Sequence, residues 1–75
     1  SKWQNTFDEL IWAVSIPVNT TATLYIPTDN KDAVTERNIK AEESDGVTFM
    51  CIENGHSLFK VGSGDYVFKI AKNIR

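Results

Sequence analysis

The groups in this chain able to do chemistry are few and scattered. Its one cysteine is Cys51 and its one histidine is His56. A reactive thiolate needs a cation, a helix N-terminus or a metal beside it. Cys51 is flanked by Met50 and Ile52, and on an apolar strand it reads as an inert thiol. His56 directly follows Gly55, at the end of a turn. A catalytic base or metal ligand there needs carboxylate or nucleophile partners converging on it, and the pattern indicates none, so His56 reads as a solvated hairpin residue. A single cysteine also excludes an internal disulfide framework and a cysteine-rich zinc site. No cofactor and no metal are expected.

The ten acidic residues could supply the carboxylate pair that cleaves glycosidic bonds, ~5–9.5 Å apart across a concave site. However, Asp8-Glu9 and Glu42-Glu43 are neighbours in sequence, and on a strand neighbours point to opposite faces. They read as solvated charge. Gly62-Ser63-Gly64 has the composition of a phosphate-cradling loop, but no helical pattern follows to present its N-terminus. It reads as a tight hairpin. Asn19-Thr20-Thr21 matches the acceptor for N-glycosylation at a place where turn geometry already favours these residues. Among the aromatics, Trp12 shares an apolar face with Val14 and Ile16 and is assigned to the core. Trp3 and Tyr25 remain as candidate carbohydrate contacts, since ring faces pack on the apolar faces of sugars.

These residues must be positioned by strands. Leu10 to Ile16 carries Leu10, Trp12, Val14 and Ile16 on one face of period two, and Thr20 to Ile26 carries Ala22, Leu24 and Ile26. Pro17 and Pro27 end the two runs, because proline lacks the amide hydrogen a ladder needs. A hairpin is expected, with Val14 beside Leu24, Trp12 beside Ile26 and a left-handed residue in the loop supplied by Asn19 or Thr20, of which Asn19 tolerates that conformation better. Further on, Asn54-Gly55 is the signature of a type I′ turn. It places Met50 opposite Phe59 and Ile52 opposite Ser57 on one face, Cys51 opposite Leu58 and Phe49 opposite Lys60 on the other. A turn at Ser63-Gly64 then places Phe59 opposite Phe68 and Val61 opposite Tyr66, completing a three-stranded meander.

That register sends Met50, Ile52, Phe59, Val61, Tyr66, Phe68 and Ile70 inward. It sends Phe49, Cys51, Leu58 and Val67 outward, with Lys60 and Lys69 interleaved, and a contiguous apolar patch of this kind marks an interface. These four form a candidate docking face; the alternative is that Thr28 to Gly46 folds over and covers it. This middle segment is polar, with short strands expected at Ala33–Glu36 and Ile39–Ala41. A helix over Lys31–Glu43 lacks an apolar stripe.

Six or seven short strands in 75 residues predict an all-β fold, a small antiparallel β-sandwich in one domain spanning 1–75. Folding at this size buries only ~60% of the surface the unfolded chain exposes. Eight basic and ten acidic residues give a net charge of −2, which disfavours nucleic acid and anionic membrane as partners, because both select concentrated positive charge. No apolar run approaches the ~18 residues of a membrane span, and the opening residues lack the pattern of a signal peptide. The chain opens without methionine and its apolar pattern is under way by Leu10, so an excised segment of a longer polypeptide is expected.

Three pieces in order carry a resemblance: the run Ile16-Pro17-Val18-Asn19-Thr20-Thr21-Ala22 ending at Pro27, the segment Val34-Thr35-Glu36, and Val61-Gly62-Ser63-Gly64-Asp65-Tyr66-Val67-Phe68. Together they resemble the C-terminal β-sandwich of bacterial α-L-rhamnosidases, over Glu9 to Phe68. The chain departs from that pattern at Arg37-Asn38, where the family often has Ser-Gly, and at Lys60, often acidic. The resemblance implies a fragment of an inverting glycoside hydrolase that removes terminal α-L-rhamnose from glycans, in the periplasm or outside a bacterium. The family's catalytic carboxylates lie in a preceding helical (α/α)₆ barrel, and no residue here matches them. The segment is therefore expected to be a non-catalytic accessory domain whose partner is the catalytic domain of the same polypeptide, without a cofactor. Two alternatives stay open: a carbohydrate-binding module contacting a rhamnose-containing glycan through Trp3 or Tyr25, and an immunoglobulin-like interaction domain.

Overall fold

The computed structural model describes residues 2–72. The period-two alternation forms eight strands among them: β1 (Lys2–Asn5), β2 (Glu9–Ile16), β3 (Ala22–Ile26), β4 (Val34–Glu36), β5 (Ile39–Lys40), β6 (Val47–Glu53), β7 (His56–Val61) and β8 (Gly64–Ala71). They make two antiparallel sheets, a five-stranded one ordered β1-β2-β8-β4-β5 and a three-stranded one ordered β3-β7-β6. The fold is the expected all-β sandwich. Its core is one cluster fed from both sheets, with Val14, Ile16, Tyr66, Phe68 and Ile70 from the first and Leu24, Ile26, Phe59 and Val61 from the second.

Strand pairing differs from the sequence expectation at two connections. Strands β2 and β3 do not form a hairpin: β2 pairs with β1 and β8, whereas β3 pairs with β7. Strands β7 and β8 likewise separate, and β8 pairs with β2 and β4. Both connections cross from one sheet to the other. The inward residues of β2, β3, β7 and β8 survive these changes because a strand with one apolar face buries it equally well beside its chain neighbour or across the sandwich from it. Period two determines the face and leaves the sheet undetermined. Asn19 supplies the left-handed residue of the first crossing, at φ 62°.

The third departure lies in β6. The Asn54-Gly55 turn has positive φ at both residues and sets Glu53 opposite His56, Ile52 opposite Ser57 and Cys51 opposite Leu58, as expected. At Met50 the register then slips, so that Phe49 opposes Phe59 and Val47 opposes Val61. A β-bulge adds one residue to one strand and inverts the parity beyond it. The slip resolves a conflict between the turn, which fixes Cys51 outward, and Val47-Thr48-Phe49, whose apolar residues need the core. Phe49 turns inward and meets Phe59 edge to face, centroids 5.5 Å apart, while Met50 and Ile52 are left exposed.

The middle segment adds strands to the five-stranded sheet. Val34 pairs with Ile70 and Glu36 with Phe68, so β4 extends the five-stranded sheet, and β5 follows through a turn whose Arg37 and Asn38 both have positive φ. That turn thus holds two non-glycine residues in left-handed backbone, where a Cβ costs ~1–2 kcal/mol. Short 3₁₀ turns at Lys31–Ala33 and Ala41–Glu43 flank the strands, and fully buried Ala41 joins the core.

Tyr66 holds the second crossing. Its hydroxyl donates to the Gly62 carbonyl at 3.0 Å, with the Ser63 carbonyl at 3.3 Å. The Gly62 amide donates to the Gly46 carbonyl at 3.0 Å. Gly46 has φ +87°, and a Cβ there would stand 2.6 Å from the Tyr66 hydroxyl oxygen, so both backbone and space require glycine. Two stability changes follow from this packing. Phe59→Ala, at a fully buried position, should remove ~3–5 kcal/mol and collapse the amide spectrum of so small a domain. Tyr66→Phe keeps the ring and loses the bond at the crossing; it should lower stability by ~1 kcal/mol, read as a shift of the urea midpoint at unchanged m-value.

Candidate functional site

Trp3 lies on edge strand β1 directly opposite Trp12 on β2. The two rings stack nearly parallel, centroids 4.6 Å apart and planes 7° from coplanar. Trp12 packs against the core and tilts over Phe68 at 6.4 Å, in keeping with its assignment to the core, and its buried Nε1 has no hydrogen-bond partner. The pair therefore occupies the inner side of the five-stranded sheet. That sheet is two strands wider than its partner, and Trp3, in its outermost strand, is 47% exposed. Tyr25 alternates with buried Leu24 and Ile26 on β3, which puts it on the outer face of the three-stranded sheet. The two candidate sugar contacts thus lie on different sheets and form no common platform.

The four residues of the candidate docking face are also dispersed. The bulge turns Phe49 inward, where it is half-buried under the Lys31 ammonium, 5.5 Å from its ring centroid. Val67 stands on β8 beside Ala13, on the outer side of the other sheet. Only Cys51 and Leu58 remain together, and β3 carries Tyr25 on the far side of Leu58. The apolar surface on the outside of the three-stranded sheet is therefore Tyr25, Leu58 and Cys51, with Leu58 itself buried and Cys51 exposed.

The titratable groups are engaged in structure. Glu36, 5% exposed, faces inward on β4. One carboxylate oxygen accepts from the Ser44 hydroxyl at 2.9 Å, and the other accepts from the Val67 amide at 3.1 Å and lies 3.1 Å from Arg37 Nε. A buried carboxylate is where shifted acid–base chemistry is usually sought, but both oxygens here are taken by the fold. Sequence reading placed Glu36 only as part of a motif; its function as a clamp between β4, β8 and the Ala41–Glu43 turn needed the tertiary contacts. Lys31 reaches Glu42 at 2.6 Å, and this hydrogen bond, opposed by desolvation and helped by Asp32, raises its pKa above 10.5. Its contribution to stability is accordingly present below pH 10.5 and fades as the pH rises beyond that. His56 Nδ1 lies 3.1 Å from the Asn54 carbonyl within the turn. Among the described residues no cluster of three or more histidine, cysteine, aspartate or glutamate residues has a metal-binding arrangement.

A groove of about 600 Å³ opens at one end of the sandwich, lined in part by Asn5, Leu10, Asp29, Ile70 and Lys72. Lys72 bonds to the Asn5 side chain and the Thr6 carbonyl, tying the end of β8 to the β1–β2 turn. Glu36→Ala strands the Ser44 hydroxyl and the Val67 amide and should cost ~3 kcal/mol, whereas Glu36→Gln keeps a carbonyl oxygen for the Val67 amide and presents an NH₂ that can donate to the Ser44 hydroxyl oxygen, and should cost roughly half as much. Urea unfolding of the two variants side by side measures the difference, and equal losses would show that the carboxylate does not clamp these groups.

Residues 1–41 match the family model of the bacterial alpha-L-rhamnosidase C-terminal domain. An alpha-L-rhamnosidase of Streptomyces avermitilis is 34% identical over 70 residues, which make up 93% of this chain. The chain spans 6% of the length of that relative. No solved structure matches the chain.

Proposed function

The chain belongs to the bacterial alpha-L-rhamnosidase C-terminal domain family, and we propose that its 75 residues form one non-catalytic accessory domain of a glycosidase that removes terminal α-L-rhamnose from glycans. The observation that carries this reading is the extent of the match: nearly the whole chain aligns with a small part of a much longer alpha-L-rhamnosidase. Hydrolysis with inversion requires an acid on the leaving oxygen and a base on the attacking water, on opposite sides of a sugar held in a cleft. In this reading both belong to the rest of the polypeptide. The engagement of Glu36 by three partners supports that division, because the most buried carboxylate here has no lone pair directed at a substrate.

The accessory role is to pack against the catalytic domain through the outer face of the three-stranded sheet. Tyr25, Leu58 and Cys51 supply an apolar centre there, and Thr23 and Lys60, paired across the same strands, supply a polar rim. Such a composition suits an interface within one polypeptide, which is typically more polar than a permanent subunit contact. Two measurements check the proposal. A chromogenic α-L-rhamnoside should be hydrolysed by the full-length protein and untouched by the 75-residue chain; turnover by the short chain that disappears on changing one carboxylate would overturn the accessory role. Cys51 should react readily with a thiol reagent in the short chain and be protected in the full-length protein. Equal reactivity in both would remove this face as the docking surface.

A further inference from the structure

The placement of Trp3 points to a binding site, and we propose that its outward face is a stacking platform for a neutral pyranose ring. One face of the indole lies flat on Trp12, and the 47% exposure is what remains when the opposite face is open. Trp12 is itself held against the core and Phe68. The orientation of Trp3 is therefore set before any ligand arrives, and little conformational entropy is lost on binding. Phe7 and Val18, although more exposed, have no such backing ring. An open, rigid aromatic face carries negative charge density, and its complement is a flat partner of similar size edged with weakly positive C–H groups. The axial hydrogens of a pyranose meet that requirement.

Specific binding also needs hydrogen-bond partners for the hydroxyls around the ring, and β1 supplies them. It is the outermost strand, paired only with β2, so alternate backbone N–H and C=O groups along it are unpaired and point away from the sheet, beside the open face of Trp3. Two residues on, ~7 Å along the strand, Asn5 shares the inner side with Trp3. Its side-chain oxygen accepts from Lys72, which leaves its NH₂ to donate to a ligand. Asn5 and Leu10 also line the groove of about 600 Å³ at one end of the sandwich, which Trp3 itself does not line. The net charge of −2 favours a neutral ligand over a phosphate-bearing one.

The choice of rhamnose as the sugar rests on the function proposed above; the platform itself does not. The isotope-labelled 75-residue chain is titrated with L-rhamnose and, separately, with the methyl pyranosides of glucose, galactose and mannose, following the indole N–H of Trp3 and the amides of β1. A saturable shift confined to these signals is expected, strongest with L-rhamnose. It should vanish in Trp3→Ala, with the core resonances unchanged. Trp3→Tyr, which keeps a smaller ring should the alanine variant unfold, should bind roughly tenfold more weakly. Binding of another pyranoside without L-rhamnose would support the platform and overturn rhamnose as its sugar. The platform is overturned if no sugar gives a saturable shift, if the shift persists in Trp3→Ala, or if the Trp3 signal moves only with protein concentration, which would mean that β1 pairs with a second copy.

Discussion

The hydroxyl of Tyr66 and the carbonyl of Gly62, 3.0 Å apart, meet where the chain leaves the three-stranded sheet and enters the five-stranded one. Strand β8 depends on that crossing, and it is the middle strand of its sheet, with β2 on one side and β4 on the other. Had the chain turned back at Ser63-Gly64 as a hairpin, β8 would have lengthened the smaller sheet. Strand β2 would then have lost its inner neighbour, and Phe68 its place across from Phe59. The glycines at 46, 62 and 64 serve the same point. Gly46 cannot carry a Cβ against the tyrosine oxygen, and Gly64 takes φ +140° beside the ring. The Val-Gly-Ser-Gly-x-Tyr-x-Phe pattern is thus a sheet-crossing device, with the two aromatics of β8 stacked 5.8 Å apart on its inner side.

Around this crossing the core is closed unequally. On the β4 side the gap between the sheets is sealed by Glu36, whose carboxylate ties β4 to β8 and to the turn that leads into β6, with Ala41 and Val34 buried beneath. A charged group in this position is tolerated because each oxygen has a donor and Arg37 brings a counter-charge from the surface. On the β1 side no equivalent seal exists among the described residues, and the sheet ends in the Trp3–Trp12 stack. The same shortage of strands that makes the smaller sheet three wide leaves an aromatic wall standing at the edge of the larger one.

A β-sandwich of this size is governed by surface more than by core. It has one hydrophobic cluster, and two of its remaining apolar sets have a defined setting, one on the outside of the smaller sheet and one at the edge of the larger. The two surfaces differ in kind. Tyr25, Leu58 and Cys51 form part of a broad sheet face, the geometry by which domains pack. Trp3 is a flat ring stacked on Trp12 at the edge of a sheet, the geometry by which small polar rings are held. Their separation on different sheets keeps the proposed docking face and the proposed platform from competing with each other.

Local patterns in the chain were sufficient for much of this. Alternation selected the inward residues of β2, β3, β7 and β8; Asn54-Gly55 specified its own turn, and Asn19 its left-handed backbone, because each depends on residues within a few positions. Trp3 and Tyr25 were legible as unassigned aromatics, and Val34-Thr35-Glu36 as a strand. Beyond the β6–β7 hairpin that the Asn54-Gly55 turn set, pairing was not legible, since burying an apolar face beside a chain neighbour or opposite it satisfies the same period, and only the closing of two sheets on one core separates the two. Nor was the bulge at Met50, where the demand of a turn and the demand of the core meet out of phase and one residue must be left over. That slip decided the inward turn of Phe49, and with the sheet crossings it dispersed the outer patch. The value of Trp3 came from Trp12 across the β1–β2 ladder, a partner nine residues away in the chain that becomes a neighbour only when the strands align.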